Sequence, residues 1–178
     1  MMIKKIDVHV LLYPNSPKDW FEECLNSLHG ESINLTVIES PNVYEEIGKY
    51  RVKGYSTGTE EYVSFVDADD YIIKGAYNRA IHFLNNNDNH DHVCTQERVY
   101  YESTKSFLRV PLQNHHIKIF RREFLESYYS LIEKQGVFVD KALSRIVGPS
   151  YDLGYIGYVW RFHDGGWHKV INKREYGE

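Results

Sequence analysis

Apolar positions along the chain fall into short continuous runs that alternate with stripes at helical spacing. Ile6-Asp7-Val8-His9-Val10-Leu11-Leu12 is a run of strand length, and Tyr13-Pro14-Asn15 ends it. Ser16-Pro17-Lys18-Asp19 gives a helix start, with Ser16 as N-cap, Pro17 at the first helical position and Asp19 three residues after the cap. Trp20, Phe21, Cys24, Leu25 and Leu28 follow at helical spacing, and Gly30 supplies the stop. A second strand, Asn34-Leu35-Thr36-Val37-Ile38, ends in Glu39-Ser40-Pro41, so the chain opens with a right-handed βαβ unit. Residues 44–58 are interrupted by Gly48, Gly54 and Gly58 and predict a short helix and a loop. The β-branched and aromatic run of residues 61–66 reads as a buried strand that stops abruptly in Asp67-Ala68-Asp69-Asp70.

Beyond that cluster, Tyr77, Ala80, Ile81 and Leu84 have helical spacing, and residues 85–89 form a polar Asn-rich loop. Residues 93–102 and 107–112 alternate as a β pair around Ser103-Thr104-Lys105, and Ile117-Lys118-Ile119-Phe120 is another short strand. The pattern then predicts a helix over about 122–134 ended by Gly136, a helix from Asp140 through Ile146, and a last strand over 155–162. Asp164-Gly165-Gly166 turns into a tail. Neither a repeat nor a linker interrupts the chain, so one α/β domain over residues 1–178 is expected.

Composition changes this picture little. A chain of 178 residues buries a core without staples, and its two cysteines, Cys24 and Cys94, have no metal or disulfide pattern. Cys24 lies on the helical stripe and reads as core. The aromatic content of 15%, with fifteen tyrosines, suits ligand clefts as well as cores. No run is long enough to span a membrane, and the first fourteen residues are too short and polar for a secretory signal, which points to the cytoplasm. Charge is uneven: residues 1–102 carry 9 Lys/Arg against 17 Asp/Glu, and residues 103–178 carry 12 against 8. Uneven solvation of the surface accounts for this; a second half facing something acidic, such as nucleic acid, is the sharper reading.

The acidic cluster carries the chemistry. Three carboxylates within four positions repel one another unless a cation or fixed donors compensate. Oxygen donors suit Mn²⁺ or Mg²⁺ rather than zinc, and a metal at a strand's carboxyl end would hold a phosphate there. Taken alone, Asp-Ala-Asp-Asp also reads as an N-cap and turn, and Asp140 at a helix start as an ordinary cap or a general base. His90-Asp91-His92 sits in the Asn-rich loop and reads as solvated, and His115-His116 supports no metal site.

Four segments, in order, resemble the family 2 glycosyltransferases. Arg51, Gly54 and the run from Gly58 to Asp70 resemble the family's Arg, Gly, "GEYI"-like strand and DxD-type cluster. Residues 117–122 resemble the strand and basic turn before the acceptor-side helix, Val139-Asp140 falls where the family carries its catalytic base, and residues 158–164 resemble its closing "Y-x-Y-R-x-H" segment. The resemblance implies a GT-A-like three-layer α/β/α fold with a mostly parallel central sheet and a small antiparallel acceptor-side addition. It implies a nucleotide-sugar half over 1–102 and an acceptor half over 103–178. It places Asp69 and His163 at a metal, Asp140 as base of an inverting reaction, and Tyr13, Pro14, Glu39, Arg51, Asp67, Ala68 and Asp70 at the nucleotide sugar, a UDP-sugar by family habit. Glu39 stands near where the family carries an Asp for the nucleobase. For Arg51 a surface pair with Glu45 or Glu46 competes, for His163 a structural role, and for Tyr13 and Pro14 core packing.

Three functions fit these residues. The first is a metal-dependent glycosyltransferase acting on a saccharide or, as small phage enzymes of this kind do, on a hydroxylated base in DNA. The second is a nucleotidyltransferase, although Tyr13-Pro14-Asn15-Ser16 lacks the glycine-rich loop expected there. The third is a nucleotide-sugar-binding module without turnover.

Overall fold

A computed structural model describes residues 5–41, 46–87, 89–108 and 112–164, with backbone alone for 112–116. The βαβ unit forms as expected: β1 (Ile6–Leu12), α1 (Lys18–Leu28) and β2 (Ile33–Glu39), with Gly30 at φ +84° ending the helical segment. Ser16 does not cap α1. Pro17 holds the cap position, and the Ser16 hydroxyl instead accepts the Tyr13 N–H at 3.3 Å, closing the turn after β1. Next come α2 (Ile47–Tyr55), β3 (Tyr62–Asp67), β4 (Tyr71–Ile72) and α3 (Ala76–Asn86). Gly48 and Gly54 lie inside α2 rather than interrupting it. The second half supplies β5 (His92–Tyr101), β6 (Ser106–Phe107), β7 (Leu112–Arg121), α4 (Arg122–Glu126), α5 (Tyr129–Ile132), α6 (Val139–Val147) and β8 (Tyr151–Phe162). The helix expected over 122–134 is therefore two short ones. His92 opens β5 instead of lying solvated in the loop, stacking on Phe124 at 5.2 Å with its Nδ1 2.9 Å from the Ser150 hydroxyl. His115 and His116 lie outside the described side chains.

Among the described residues the sheet has eight strands in the order β2-β1-β3-β7-β5-β8-β4, with β6 on β5. Its pairing is mixed rather than mostly parallel: β1–β2, β1–β3 and β5–β8 are parallel, while β3–β7, β5–β7, β5–β6 and β4–β8 are antiparallel. The antiparallel strand β7 stands in the middle of the sheet and not in a marginal addition.

Side-chain alternation builds two cores. Ile6, Val8, Val10, Tyr62, Val66, Ile117 and Ile119 face α1 and α3, whereas Leu11, Val63, Phe65 and Phe120 face α2 and α4–α6. Period-2 strands buried on both faces need this double covering, and it yields the three layers. The order also forces curvature. β3 and β4 are four strand positions apart, roughly 19 Å in a flat sheet. Only residues 68–70 connect them, a reach of roughly 13 Å. The sheet must curl so that β8 and β4 return over the carboxyl end of β3.

One helix lies unusually close to the sheet. A Cβ placed on Gly54 would fall 2.3 Å from the ring of His9, which is buried in β1 against Tyr55 (rings 4.8 Å apart). Gly54→Ala should therefore overpack this contact and cost about 1–3 kcal/mol, read as a lower urea midpoint with unchanged slope. Burial, reinforced by Arg51 and only partly opposed by a backbone hydrogen bond, holds the His9 pKa well below its ordinary value. The unfolded chain then binds a proton that the folded one refuses, so this contribution to stability is present above about pH 6.5 and fades as pH falls below it. The melting temperature should decline from about pH 6.5 towards about pH 5 while the His9 ring stays neutral by NMR; normal titration of His9 would contradict this.

Candidate active site

The three parallel strands end together. Register pairs Leu12 with Glu39 and Leu11 with Asp67, so the residues following β1, β2 and β3 share one edge. The chain leaves β1 for β2 on one side and then crosses to β3 on the other, with α1 and α2 on opposite faces, which opens a crevice beside β1. A cleft of about 390 Å³ occupies it, lined by Tyr13, Pro14, Glu39, Lys18 and Phe21 among others. Tyr13, Pro14 and Glu39 thus line one cleft.

The carboxylates of the cluster go three different ways. Asp67, on the α2 face, hydrogen-bonds Nη2 of Arg51. Asp69 turns to His163, with Oδ2 and Nε2 2.9 Å apart. Asp70 is buried: it accepts the Tyr158 hydroxyl at 2.7 Å and the Arg161 backbone N–H at 2.6 Å. α3 begins after Gly75 without a side-chain cap, which removes the alternative expectation for Asp70. The Ala68 side chain is buried in the core under the turn, leaving only its backbone near the edge.

Arg51 is 2% exposed, so it is neither a surface ion pair nor open to a nucleobase. Glu46 pairs with Lys49 instead, at 3.4 Å, and Glu45 lies outside the described residues. The guanidinium lies 3.6 Å over the Phe65 ring, with Nε 3.7 Å from Oδ1 of Asp140. Burial opposes its charge, but Asp67 and Asp140 more than offset that and push its pKa up. Asp140 is the second residue of α6 behind Phe138, and no side chain caps that helix. Lys118, buried on the same sheet face, donates to Ser144 Oγ at 2.8 Å, and Ser144 donates to the Asp140 carbonyl at 2.9 Å. The Tyr13 hydroxyl, its pKa raised by burial first, lies within electrostatic reach of Asp67, Asp140 and Asp69.

Asp69 and His163 rest on a frame that the sequence reading did not assign. The Arg161 side chain donates to the Asp69 carbonyl at 2.8 Å and to Glu102 at 2.8 Å, and it pairs with Glu23 of α1. Trp20 packs edge-on against His163 with rings 4.7 Å apart. Arg161 lies near the end of β8 and His163 just after it, two residues on, a spacing that could have exposed the partnership. Lys118 inside an apolar strand was a comparable sign. Among the described residues no three His, Cys, Asp or Glu side chains converge as a metal cage. Asp69, 35% exposed, and His163 offer two adjacent donors, which fits a cation that takes the rest of its ligands from phosphate oxygens and water.

Because both Asp70 oxygens accept hydrogen bonds in the interior, Asp70→Asn turns an amide N–H towards a donor and should cost about 2 kcal/mol or more of stability. Tyr158→Phe should lose less, and chemical denaturation of both variants measures the order.

The sequence matches the family model for glycosyl transferase family 2 over residues 4–140. A search of curated protein sequences gives no significant match. Among solved structures, residues 1–349 of S. aureus TarS align with a TM-score of 0.64 at 19% identity, covering 89% of this chain and 60% of that one. The same fragment in complex with UDP-GlcNAc gives 0.63 at 15% identity, with 92% and 60% covered. Its complex with UDP gives 0.66 at 16% identity, with 95% and 63% covered. This chain spans about 60% of the length of those fragments, and the likeness is one of GT-A-like fold. With the family model matched from the first strand to the start of α6, the chain belongs to glycosyl transferase family 2.

Proposed function

We propose that this chain transfers a sugar from a nucleoside diphosphate sugar to an acceptor hydroxyl, with inversion. The observation that carries the reading is that Arg51, paired with Asp67 at the end of β3, also stands 3.7 Å from Asp140 on α6, which brings two carboxylates far apart in the sequence to one guanidinium beside the cleft. Tyr13, Pro14 and Glu39 would line the nucleoside, with Asp67 at the ribose. Asp69 and His163 would hold a divalent cation, which when bound neutralises the leaving diphosphate. An imidazole in the donor set is softer than Mg²⁺ prefers and favours Mn²⁺. Asp140 takes the acceptor's proton as its oxygen attacks the anomeric carbon opposite the diphosphate. The TarS complexes with UDP-GlcNAc and UDP support a uridine donor for a chain of this fold.

For the acceptor, the internal pairing of basic residues favours a saccharide over DNA. Arg121, Arg122 and Arg161 pair with Glu61, Asp7 and Glu23, and Lys118 is buried on Ser144, so these four cations of the second half are turned inward. Steep loss of DNA binding with rising salt would reverse that choice.

UDP-GlcNAc with Mn²⁺ should raise the melting temperature by mass action, and Asp69→Ala should remove the metal-dependent part. Asp140→Asn should stay folded and lower transfer roughly a hundredfold or more. Undiminished transfer by that variant would sink the assignment of the base. No stabilisation by any nucleotide sugar would sink the function.

A further inference from the structure

Arg51 joins the two parts of the proposed site. Its Nη2 is held by Asp67 at the end of β3, and its Nε stands 3.7 Å from Asp140 on α6. Nε and Nη1 make no hydrogen bond among the described residues, although the group is 2% exposed and stacked on Phe65. A guanidinium has five N–H donors, so most of its capacity is unspent, and its buried charge must stay paired with a carboxylate. Asp67 and Asp140 are themselves only 22% exposed, so neither can trade Arg51 for water without cost.

We infer that Arg51 is a positioning residue that couples nucleotide binding at Asp67 to the setting of Asp140, by being shared between the two carboxylates. The inference rests on the donor and base assignments proposed above. Nucleoside hydroxyls that donate to Asp67 compete with Nη2 for its oxygens. As that tie loosens, the guanidinium turns its spare N–H groups to Asp140 and fixes the carboxylate for the incoming acceptor. The coupling is reciprocal: whatever removes the charge of Asp140 leaves Asp67 as the remaining carboxylate paired with Arg51 among the described residues, and the nucleotide must then break a stronger pair.

Calorimetric titration with UDP and Mn²⁺ tests this without turnover. Asp140→Asn should weaken UDP binding roughly fivefold or more, although Asp140 belongs to the acceptor end, while Lys141→Ala on the exposed face of α6 should not. UDP affinity unchanged in Asp140→Asn overturns the coupling. If the unaltered chain binds no UDP, it is the proposed function that fails, and the coupling is judged on the ligand-free protein. There, the urea midpoint of the Asp67→Asn, Asp140→Asn double variant should fall by more than the two single losses together, because the last counter-charge of a buried guanidinium has gone. A double variant that does not fold while both single variants do is the extreme of the same result. Simple additivity overturns the inference.

Discussion

Three residues, 68–70, bridge two strands that stand four places apart in the sheet, and the architecture of the site follows from that short reach. A flat sheet cannot satisfy it. Curling brings β8 over the end of β3, which is why Asp67, Asp69 and Asp70 all find partners in the last described strand and its exit. The Tyr158 hydroxyl receives the Asp67 N–H at 3.3 Å and donates to Asp70, so one phenol fixes both ends of the turn. Arg161 completes the frame from the other side through the Asp69 carbonyl. The carboxylates are held apart in direction, each with its own partners, which eases their mutual repulsion.

This division of labour gives each acid a distinct physical character. Asp70 is a buried anion matched by two donors and serves the fold. Asp69 remains a third exposed beside an imidazole and can change partners. Asp67 sits between, tied to a guanidinium that also reaches Asp140. A cluster that looks uniform in sequence is therefore graded from interior to cleft. The grading comes from strand alternation: Asp67 ends β3 on the α2 face, and the turn then sends successive side chains to different sides.

Elements that obey a local period were legible from the sequence. β1, β3, α1 and α3 announce themselves by apolar spacing, Tyr13 and Pro14 stand where β1 stops, and Glu39 entered through the resemblance to the family. β4 was not, because Tyr71 and Ile72 are too few to display a period and exist as a strand only through pairing with β8. The central antiparallel position of β7 was equally hidden, since the choice of partner strand is a property of the whole sheet. Within the site, the reading could group Asp67, Asp69 and Asp70 but not rank them. Ranking depends on Tyr158 and Arg161, about ninety residues away. For Arg51 a place at the nucleotide sugar and a surface ion pair stayed open together, because nothing nearby in sequence reveals that α2 lies so low on the sheet.

That low position has its own consequence. Gly54 is three residues beyond Arg51 on the same face of α2, and its missing side chain lets the helix backbone settle against the His9 ring. Were the helix lifted by even a methyl group, the guanidinium would ride higher above Phe65 and its reach to Asp67 and Asp140 would shorten together. The spacing between helix and sheet thus acts as a gauge block: an absent atom at Gly54 sets the height at which the Arg51 guanidinium is delivered. The electrostatics of the cleft are in this sense machined by a contact that carries no charge at all.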